Sequence, residues 1–388
     1  MFKILRVIPS MDPQKGGPSE GIRQLQQEIH RQGLNIKCDI VCMDDLSEDV
    51  KDVEYASIYA VGKGKGKGVY SYSESLKDWL EKNVQKYDFV IIHGIWQYHS
   101  YIASKLCIKN SIPYFLYTHG MLDPWFKKNY PIKHIKKMIY WMLIERKVVN
   151  NAEAVIFTSE EEKILARQSF PLYEPKEFVT AYGTSGSIVD KEIARSAFNE
   201  KFPSLKGKKI LLYMGRIHEK KGCDILINSY AKISKEHNDY HLFIAGPDTS
   251  AYAKTLKDLV SSLNLNDKVT WGGMLSGDVK WGAYYSSEIF CLASHQENFG
   301  IVVAEALSCE VPVVTTTKVN IWREIERADA GMIAIDNDDS FTECLNEFIK
   351  KYENDRERLR GNALRCFKEN FDIKLVATSF NNLISSER

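Results

Sequence analysis

The feature that most constrains the fold is a repeated alternation of short apolar, β-branched runs with longer segments of helical periodicity. The first half contains the strand-like runs KILRVI, IKCDIVCM, YASIYAV, DFVIIHG, YFLYTHG, AEAVIFTS and EFVTAYG. Helical patterns lie between most of these runs, and glycine ends several of them. Strands that are separated by helices pair in parallel, so this half predicts one doubly wound α/β domain.

A polar segment without a strand-like run, residues 185–209, precedes a second series of the same kind. The alternation restarts with ILLYMG, YHLFIAG, KVTWGG, EIFCLAS and VPVVTT. The sequence therefore predicts an α/β protein of two doubly wound, Rossmann-like domains facing a central cleft. We place the domains at residues 1–190 and 191–370, followed by a final helix at 371–388. Such sheets bind ligands beyond the carboxyl ends of their strands.

The charge and the cysteine content argue against several classes of protein. The 52 basic and 51 acidic residues give a formal net charge of +1, which does not favour a nucleic-acid partner. No apolar run approaches the roughly 18 residues that a spanning helix needs, and the first run is too short for a signal peptide. The eight cysteines lack the short spacings of a metal or redox site. We expect a cytoplasmic protein with reduced cysteines that do not bind a metal.

The segment HQENFGIVVAEALSCEVPVV carries two carboxylates, Glu297 and Glu305, eight residues apart. A helix that starts near Phe299 or Gly300 would leave Glu297 in the loop after a strand and Glu305 inside the helix. The N–H groups at such a helix start attract a phosphate, and the flanking carboxylates would accept hydrogen bonds from the hydroxyl groups of a sugar. Alternatively, Glu297 caps the helix and Glu305 pairs with a lysine at the edge.

A second strand, turn and helix pattern occurs in YMGRIHEKKGCD. Gly215 permits the turn, and Arg216 and Lys221 follow at the carboxyl edge of the same sheet. Arginine suits bidentate phosphate contacts and lysine adds a point charge, so the pair predicts a diphosphate site. A solvated basic turn paired with Glu219 is the alternative, which fits Lys220 better than Arg216.

In the first half, Gly16 and Gly17 follow the first strand and precede Pro18 at a helix start. The GxGxxG spacing of a dinucleotide site is absent. Two strands end in His-Gly pairs, at His93 and at His119, which predicts a polar cleft at the same edge. The patch GKGKGKG at 62–68 is interpreted as a solvated loop.

Together these segments resemble glycosyltransferase family 4, retaining enzymes of the GT-B fold that use nucleotide-diphosphate sugars. The resemblance rests on the Gly-Gly loop, the His-Gly strand ends, GRxxxxKG, the two glutamates with seven residues between them, and a final helix FDIKLVATSF. HGMLDPW further resembles members that build bacterial exopolysaccharide or O-antigen. Such enzymes generally need no bound metal, and the resemblance implies no cofactor, because the nucleotide-diphosphate sugar is a substrate.

The resemblance implies a role for each matched residue. Glu297 would bind donor-sugar hydroxyls and Glu305 the ribose, while Arg216 and Lys221 would hold the diphosphate and stabilise its developing charge. His119 would be the first-domain histidine at the donor sugar, and Gly16 and Gly17 would line the path between donor and acceptor. Other implied positions are Asn298, Phe299, Gly300 and Ile301 on the donor side and His93, Asp123 and Trp125 on the acceptor side.

The sequence departs from the family pattern in two places. Glu310 stands where the family usually has glycine at a helix end, which favours a different turn because glycine tolerates the left-handed conformation there. KVNIWREI replaces the family's Gly-Gly after the PVV strand, so Asn320 and Trp322 are expected to reshape the donor pocket.

Residues 124–149 combine seven lysines or arginines and one acidic residue with several aromatic residues. An anionic membrane surface attracts such a segment by about 1 kcal/mol per close basic residue. Peripheral docking at the inner leaflet, near a lipid-linked acceptor, is one interpretation. The other is a solvated helix face whose apolar side packs on the sheet.

The sequence thus predicts a retaining, metal-independent hexosyltransferase of bacterial surface polysaccharide synthesis. Its donor would be a nucleotide-diphosphate sugar and its acceptor a glycan or lipid-linked saccharide. A nucleotide-sugar epimerase of the same fold and a non-catalytic nucleotide-sugar binding protein remain the alternatives.

Overall fold

The computed structural model divides the chain into two compact units. It describes residues 1–12, 17–45, 53, 55–62, 70–125, 127, 130–180 and 182–386. Unit 1 consists of Met1–Tyr182 and Ile373–Arg388, and unit 2 consists of Gly183–Asp372. The sequence-based boundaries lay at residues 190 and 370, whereas the structure assigns residues 183–190 to unit 2. Gly16 and residues 63–68 of the GKGKGKG patch lie outside the described residues.

Unit 1 is built on a parallel sheet whose strand order, within the described residues, is β3-β2-β1-β4-β5-β6-β7. Its strands are β1 (Phe2–Ile8), β2 (Ile36–Cys42), β3 (Ala56–Ala60), β4 (Phe89–His93), β5 (Tyr114–Tyr117), β6 (Ala154–Phe157) and β7 (Glu177–Val179). The helices that precede unit 2 are α1 (Gly17–Arg31), α2 (Glu74–Asn83), α3 (Tyr98–Lys109), α4 (Pro131–Tyr140), α5 (Arg146–Asn150) and α6 (Glu160–Ala166). A π-helical turn, Trp141–Glu145, joins α4 to α5.

Unit 2 contains a second parallel sheet, in the order β10-β9-β8-β11-β12-β13. Its strands are β8 (Lys209–Met214), β9 (Tyr240–Ala245), β10 (Val269–Gly273), β11 (Ile289–Leu292), β12 (Val313–Thr316) and β13 (Gly331–Ala334). Its helices are α7 (Lys191–Lys201), α8 (Cys223–Ile233), α9 (Ala251–Ser262), α10 (Gly277–Tyr285), α11 (Ile301–Ser308), α12 (Trp322–Arg327), α13 (Asp338–Asn354) and α14 (Arg356–Asn370). The prediction of two doubly wound α/β domains is confirmed.

The last helix, α15 (Ile373–Ser386), returns to unit 1 and covers one face of its sheet. Phe380 of this helix packs in a buried cluster with Ile91 and Phe115. Val90, one residue before Ile91, points to the opposite face, where it packs in the cluster of Trp141. Both faces of the strands are therefore buried, which explains why they read as continuous apolar runs rather than as alternating ones.

The polar segment 185–209 is not a bare linker, because it contains the helix α7. Ala194 and Phe198 are fully buried, and Asp190 caps the helix by accepting hydrogen bonds from the backbone N–H groups of Glu192 and Ile193. A Cβ atom on Gly282 of α10 would lie 2.0 Å from the Ala194 carbonyl oxygen. The segment belongs to unit 2 because α7 packs tightly on α10.

The prediction that Glu310 requires a different turn is wrong. Glu310 itself adopts the left-handed conformation, with φ of 62°. Its N–H donates to the Leu307 carbonyl at 3.1 Å, and the N–H of Val311 donates to the Ala306 carbonyl at 3.0 Å. This is the hydrogen-bond pattern of a Schellman motif. The two bonds hold the usual turn although a left-handed non-glycine residue costs about 1 to 2 kcal/mol.

The structure also bears on the cysteines and on membrane insertion. All eight cysteines are buried and free of disulfide bonds. Across the described ranges, no helix has the length and apolar character needed to cross a membrane.

Candidate active site

The candidate site of unit 2 is formed by the loops that follow three adjacent strands, β8, β11 and β12. These strands are parallel neighbours, so their carboxyl ends lie at one edge of the sheet. The loop after β8 carries Arg216 and Lys221, and the loop after β11 carries Glu297. The sequence predicted this edge because each motif follows a strand.

Arg216 offers an unpaired cation at this edge. Its side chain is exposed and, among the described residues, has no hydrogen-bond or ion-pair partner. The Tyr213 hydroxyl donates to the Arg216 backbone carbonyl at 2.9 Å, which fixes the turn without occupying the guanidinium. Arg216 is therefore available for an anionic ligand.

Lys221 and Glu297 form an ion pair across the two loops. Their side chains are only 17% and 20% exposed, so the contact is poorly screened by water. Burial, Arg216 and Lys220 lower the pKa of Lys221 to about 8. The Glu297 carboxylate acts in the opposite direction and stabilises the ammonium form. In the free protein, Lys221 therefore keeps its charge by pairing with Glu297. The Glu297 carboxylate is then engaged by Lys221.

Gly222 allows the two loops to approach closely. A Cβ atom at this position would lie 1.9 Å from the Ala293 carbonyl oxygen, and the residue has φ of 61°. The Ser294 hydroxyl and the His295 N–H both donate to the Lys220 carbonyl at 2.9 Å. The glycine of the GRxxxxKG motif is therefore required by backbone packing between the loops.

The helix α11 begins at Ile301, immediately after a left-handed Gly300 with φ of 71°. The N-cap residue is Gly300, and among the described residues this helix start has no side-chain cap hydrogen bond, so the alternative in which Glu297 caps it is wrong. The Val303 N–H donates to the Gly300 carbonyl at 2.8 Å, while the N–H groups before it have no acceptor within the helix and suit an anion. Phe299 is buried, with its ring 5.6 Å from that of Phe371, while Asn298 is half-buried.

The backbone of Glu297 is held by the segment that replaces the family's Gly-Gly. The Glu297 N–H donates to the Lys318 carbonyl at 2.8 Å, and the Asn320 N–H donates to the Glu297 carbonyl at 3.0 Å. The Asn320 amide also lies 3.4 Å from the Asn298 side-chain oxygen. Asn320 therefore supports the Glu297 loop through its backbone and its side chain.

Glu305 is more enclosed than Glu297, with a side chain 8% exposed. The Lys280 ammonium donates to one carboxylate oxygen at 2.6 Å, and the Tyr284 hydroxyl donates to the other at 2.9 Å. Burial and this carboxylate raise the pKa of Tyr284, which keeps the donor protonated. The predicted alternative, a pairing with lysine, is thus present. Each carboxylate oxygen nevertheless has a second lone pair that can accept from a ligand hydroxyl.

In unit 1, the two histidines of the His-Gly pairs are hydrogen-bonded to each other. His93 Nδ1 lies 3.1 Å from His119 Nε2, and the rings are nearly parallel, with centroids 5.4 Å apart. His93 is buried and His119 is half-buried. Gly17 is the first residue of α1, and its carbonyl accepts a hydrogen bond from the Tyr182 hydroxyl at 2.9 Å.

Asp123 and Trp125 lie together in the turn after the second His-Gly pair. The Trp125 N–H donates to the Asp123 carboxylate at 2.8 Å, and the Asp123 N–H donates to the Gly120 carbonyl at 3.1 Å. Both side chains are half-buried. The structure thus connects the predicted acceptor-side residues to the His119 turn.

Two residues that the sequence did not single out hold the histidine pair. Arg6, buried in β1, lies with its Nη1 atom 3.2 Å from His93 Nε2. The Glu162 carboxylate accepts from the Thr118 hydroxyl at 2.9 Å and from the Gly120 N–H at 2.6 Å, on either side of His119. A charged residue inside the apolar run KILRVI was the available signal for Arg6.

The described ranges contain no group of three or more histidine, cysteine, aspartate or glutamate residues that is arranged to hold a metal ion. The two cationic side chains and the helix start of unit 2 can instead accommodate an anion.

Comparison with known proteins places the chain in a family. A model described as Glycosyltransferase Family 4 matches residues 15–179, and one described as Glycosyl transferases group 1 matches residues 194–365. The chain belongs to these glycosyltransferases.

Individual relatives are distant. Mannosylfructose-phosphate synthase of Agrobacterium fabrum is 25% identical over 288 residues, covering 68% of this chain and 61% of that protein. Alpha-D-kanosaminyltransferase of Streptomyces kanamyceticus is 27% identical over 191 residues, covering 49% of each. The matched regions therefore span about half to three-fifths of these curated relatives. Anabaena Alr3699/HepE, solved in complex with UDP and glucose, matches 100% of both chains with a TM-score of 0.75 and 16% identity.

Proposed function

We propose that this chain is a retaining, metal-independent hexosyltransferase that uses a nucleotide-diphosphate sugar. The acceptor is a glycan or lipid-linked saccharide of bacterial surface polysaccharide synthesis. The observation that carries the proposal is the unpaired Arg216 beside the Lys221–Glu297 ion pair, next to the uncapped start of α11. The solved complex of HepE with UDP and glucose supports the choice of donor class.

Donor binding exchanges partners in the Lys221–Glu297 pair. The diphosphate carries negative charge and competes with Glu297 for the Lys221 ammonium, while Arg216 contacts the same group. The released Glu297 carboxylate then accepts hydrogen bonds from sugar hydroxyls, and Glu305 accepts from the ribose. Fixed cations that stabilise the charge on the departing diphosphate lower the barrier to transfer.

The same-face route accounts best for retention. The acceptor hydroxyl attacks the anomeric carbon on the side from which the diphosphate departs, and a diphosphate oxygen takes the hydroxyl proton. The sugar–oxygen bond to the diphosphate breaks as the bond to the acceptor forms. A double displacement would need a carboxylate on the opposite face of the sugar. Mass spectrometry after incubation with a slow donor analogue tests the route, and a sugar attached to the protein contradicts it.

Thermal-shift screening against UDP, GDP and their sugars tests donor binding, because a ligand of the folded state raises its apparent stability. Donor consumption is then measured with and without a saccharide acceptor, and NMR of the product reports its anomeric configuration. An epimerase would convert the nucleotide sugar without an acceptor. Binding with no turnover under any acceptor would favour the non-catalytic alternative, and failure of every nucleotide to bind would contradict the proposal.

The surface of α4 supports a peripheral position at an anionic membrane. Ile132, Ile135 and Ile139 are 74%, 61% and 58% exposed, and α4 has no buried residue. Residues at these spacings share one helix face, so this isoleucine stripe is open to solvent, while Met138 of the same helix packs against the buried cluster of Trp141. Lysines flank the stripe at Lys133 and Lys136, both exposed. We therefore propose the cytoplasmic leaflet as the partner of α4.

Replacing Ile135 and Ile139 together with asparagine should release the protein from anionic vesicles. Each isoleucine contributes about 1.5 to 3 kcal/mol when fully buried, so partial burial of two predicts at least a tenfold weaker binding, equivalent to about 1.4 kcal/mol. Sedimentation with anionic and with neutral liposomes measures the effect.

Ile193→Asn in unit 2 is the matched control, because Ile193 is 61% exposed, like Ile135, and lies on another helix. It should leave vesicle binding unchanged. Equal recovery of the unaltered protein in the supernatants of both liposome types would remove the membrane proposal.

A further inference from the structure

Arg6 is a buried cation that is not paired with a carboxylate among the described residues. It is 1% exposed. Its guanidinium lies 5.1 Å from the centroid of the Phe380 ring, and its Nε atom has no hydrogen-bond partner. A desolvated cation–π contact returns less free energy than the burial of an ion costs. Packing alone therefore gives a weak reason for an arginine here.

In the hydrogen bond between Arg6 and His93, only Arg6 can be the donor. A guanidinium has donors and no acceptor, and it stays protonated in proteins. Because Arg6 Nη1 lies 3.2 Å from His93 Nε2, this nitrogen must accept the hydrogen bond. His93 is then neutral and carries its proton on Nδ1.

The protonation of His93 also determines the direction of its hydrogen bond to His119. His93 Nδ1–H faces His119 Nε2 at 3.1 Å, so His119 Nε2 accepts and the proton of His119 lies on Nδ1. Within the described part of the chain, His119 Nδ1 has no hydrogen-bond partner, and the residue is half-buried. The chain of bonds thus leaves one N–H donor of His119 for a ligand.

The environment also keeps both rings uncharged. Burial and the Arg6 charge lower the pKa of His93, and burial lowers the pKa of His119 to about 4. His99 Nε2 lies 2.9 Å from the His93 carbonyl, and burial lowers the pKa of His99 to about 4 as well. A neutral donor suits a hydroxyl oxygen, whereas an imidazolium would attract an anion.

The backbone at His119 is held in a costly conformation. Its φ is 49°, in the left-handed region, which is unfavourable for a non-glycine residue. Glu162 fixes the residues on both sides of it through the Thr118 hydroxyl and the Gly120 N–H. Strain that the surroundings enforce in this way is typical of residues that contact ligands.

We propose that Arg6 is a positioning residue that acts through His93 to set the His119 tautomer, so that His119 offers a neutral Nδ1–H to a hydroxyl oxygen of the sugar substrate. The identity of the acceptor oxygen rests on the proposed function. The tautomer itself does not, because it follows from the geometry of unit 1.

Long-range ¹⁵N–¹H NMR of the full-length protein with labelled histidine tests the tautomer without any substrate. The signals of His93 and His119 are assigned from the spectra of His93→Gln and His119→Gln. We expect His119 to carry its proton on Nδ1 and to remain in that form between about pH 5.5 and 8, above its lowered pKa. A proton on Nε2, or a mixture of tautomers, overturns the proposal whether or not any variant of Arg6 folds.

Arg6→Met removes the obligatory donor at similar volume, and Arg6→Lys keeps a donor that cannot accept. The methionine variant should give a mixture of His119 tautomers, while the lysine variant should restore the single form. Arg31→Met is the matched control, because Arg31 pairs with Glu28 at 2.7 Å on α1 and is far less buried. An unchanged His119 spectrum in a folded Arg6→Met variant contradicts the proposal.

Kinetics provide a readout that a purely structural role would not move. Without the Arg6 charge, the histidine pair should become protonated at a higher pH, so kcat/KM of Arg6→Met should acquire a new ionisation that Arg6→Lys lacks. A pH profile identical to that of the unaltered enzyme contradicts the inference. If no donor is turned over, the proposed function fails, while the NMR result still decides the tautomer.

Discussion

Alanine at Arg216 should lower sugar transfer by about 10²- to 10³-fold, the loss typical of one removed electrostatic contact to a developing charge. The variant should also bind the nucleotide more weakly, because in the proposed site the same guanidinium contacts the diphosphate before transfer. Stability should change little, since the side chain is exposed and has no partner among the described residues. Steady-state kinetics, nucleotide titration and thermal unfolding of the same preparation measure the three effects.

Two further variants sharpen the Arg216 result. Arg216→Lys should recover only part of the activity, because an ammonium cannot make the bidentate contact of a guanidinium. Arg327→Ala, which removes another exposed arginine of unit 2, should behave like the unaltered protein. If Arg216→Ala were as active as this control, Arg216 would have no part in the chemistry.

Substitutions of Lys221 or Glu297 cannot separate an effect on activity from an effect on stability. Removal of either residue leaves the other half-buried and unpaired, so stability and activity should fall together. We expect Glu297→Ala to lose transfer while retaining nucleotide binding, because the diphosphate still meets Arg216 and Lys221.

A glutamine at Glu145 should stabilise the protein at pH 8 by about 3 kcal/mol. Glu145 is fully buried in the π-helical turn, and neither carboxylate oxygen has a hydrogen bond of normal geometry. Burial raises its pKa to about 7, partly offset by the Trp96 N–H and the Lys137 ammonium that face it. Each pKa unit corresponds to about 1.4 kcal/mol, so the charged form is the destabilising one.

The pH dependence fixes the sign of the Glu145 effect. The pKa rises from 4.5 to about 7 on folding, so the native state binds more protons between these values. Stability from this group is present below pH 4.5 and is lost as the pH rises through 7. The advantage of Glu145→Gln should therefore be small at pH 5 and largest at pH 8, as measured by urea denaturation.

Glu174→Gln is the control for this series, because Glu174 is exposed on the same unit. It should show no such difference between the two pH values. A Glu145→Gln variant that is less stable than the unaltered protein at pH 8 would show that the Lys137 contact outweighs burial.

Local patterns predicted the elements better than the contacts between them. The start of α11 was placed within two residues, at Phe299 or Gly300 against the observed Ile301, because the strand, loop and helix pattern is encoded locally. At Glu310, the preference of glycine for the left-handed conformation gave a wrong prediction. The hydrogen bonds of the helix end determine this turn, and the side chain does not. The Lys221–Glu297 pair joins residues 76 positions apart, and no local pattern encodes it.

The same limit applies to the amphipathic and charged segments. The pattern of α4 indicates one apolar face, but only tertiary packing shows that Ile135 points outward and Trp141 inward. Arg6 appeared as one charge in an apolar strand, and its relation to His93 depends on the pairing of β1 with β4. The candidate residues of each loop were therefore predictable, while their partners were not.

The division of the chain implies an order of maturation during synthesis. Unit 2 is a continuous insertion in unit 1, closed at its ends by the Thr184 N–H, which donates to the Phe371 carbonyl at 2.9 Å. The ribosome completes this insertion before it makes α15, so unit 2 can fold while the Ile91 face of unit 1 is still uncovered. Domains usually fold from the amino terminus onward. Here the amino-terminal unit cannot complete its core until Phe380 has been synthesised. Until then, the uncovered face of its sheet is the apolar surface that a chaperone would bind.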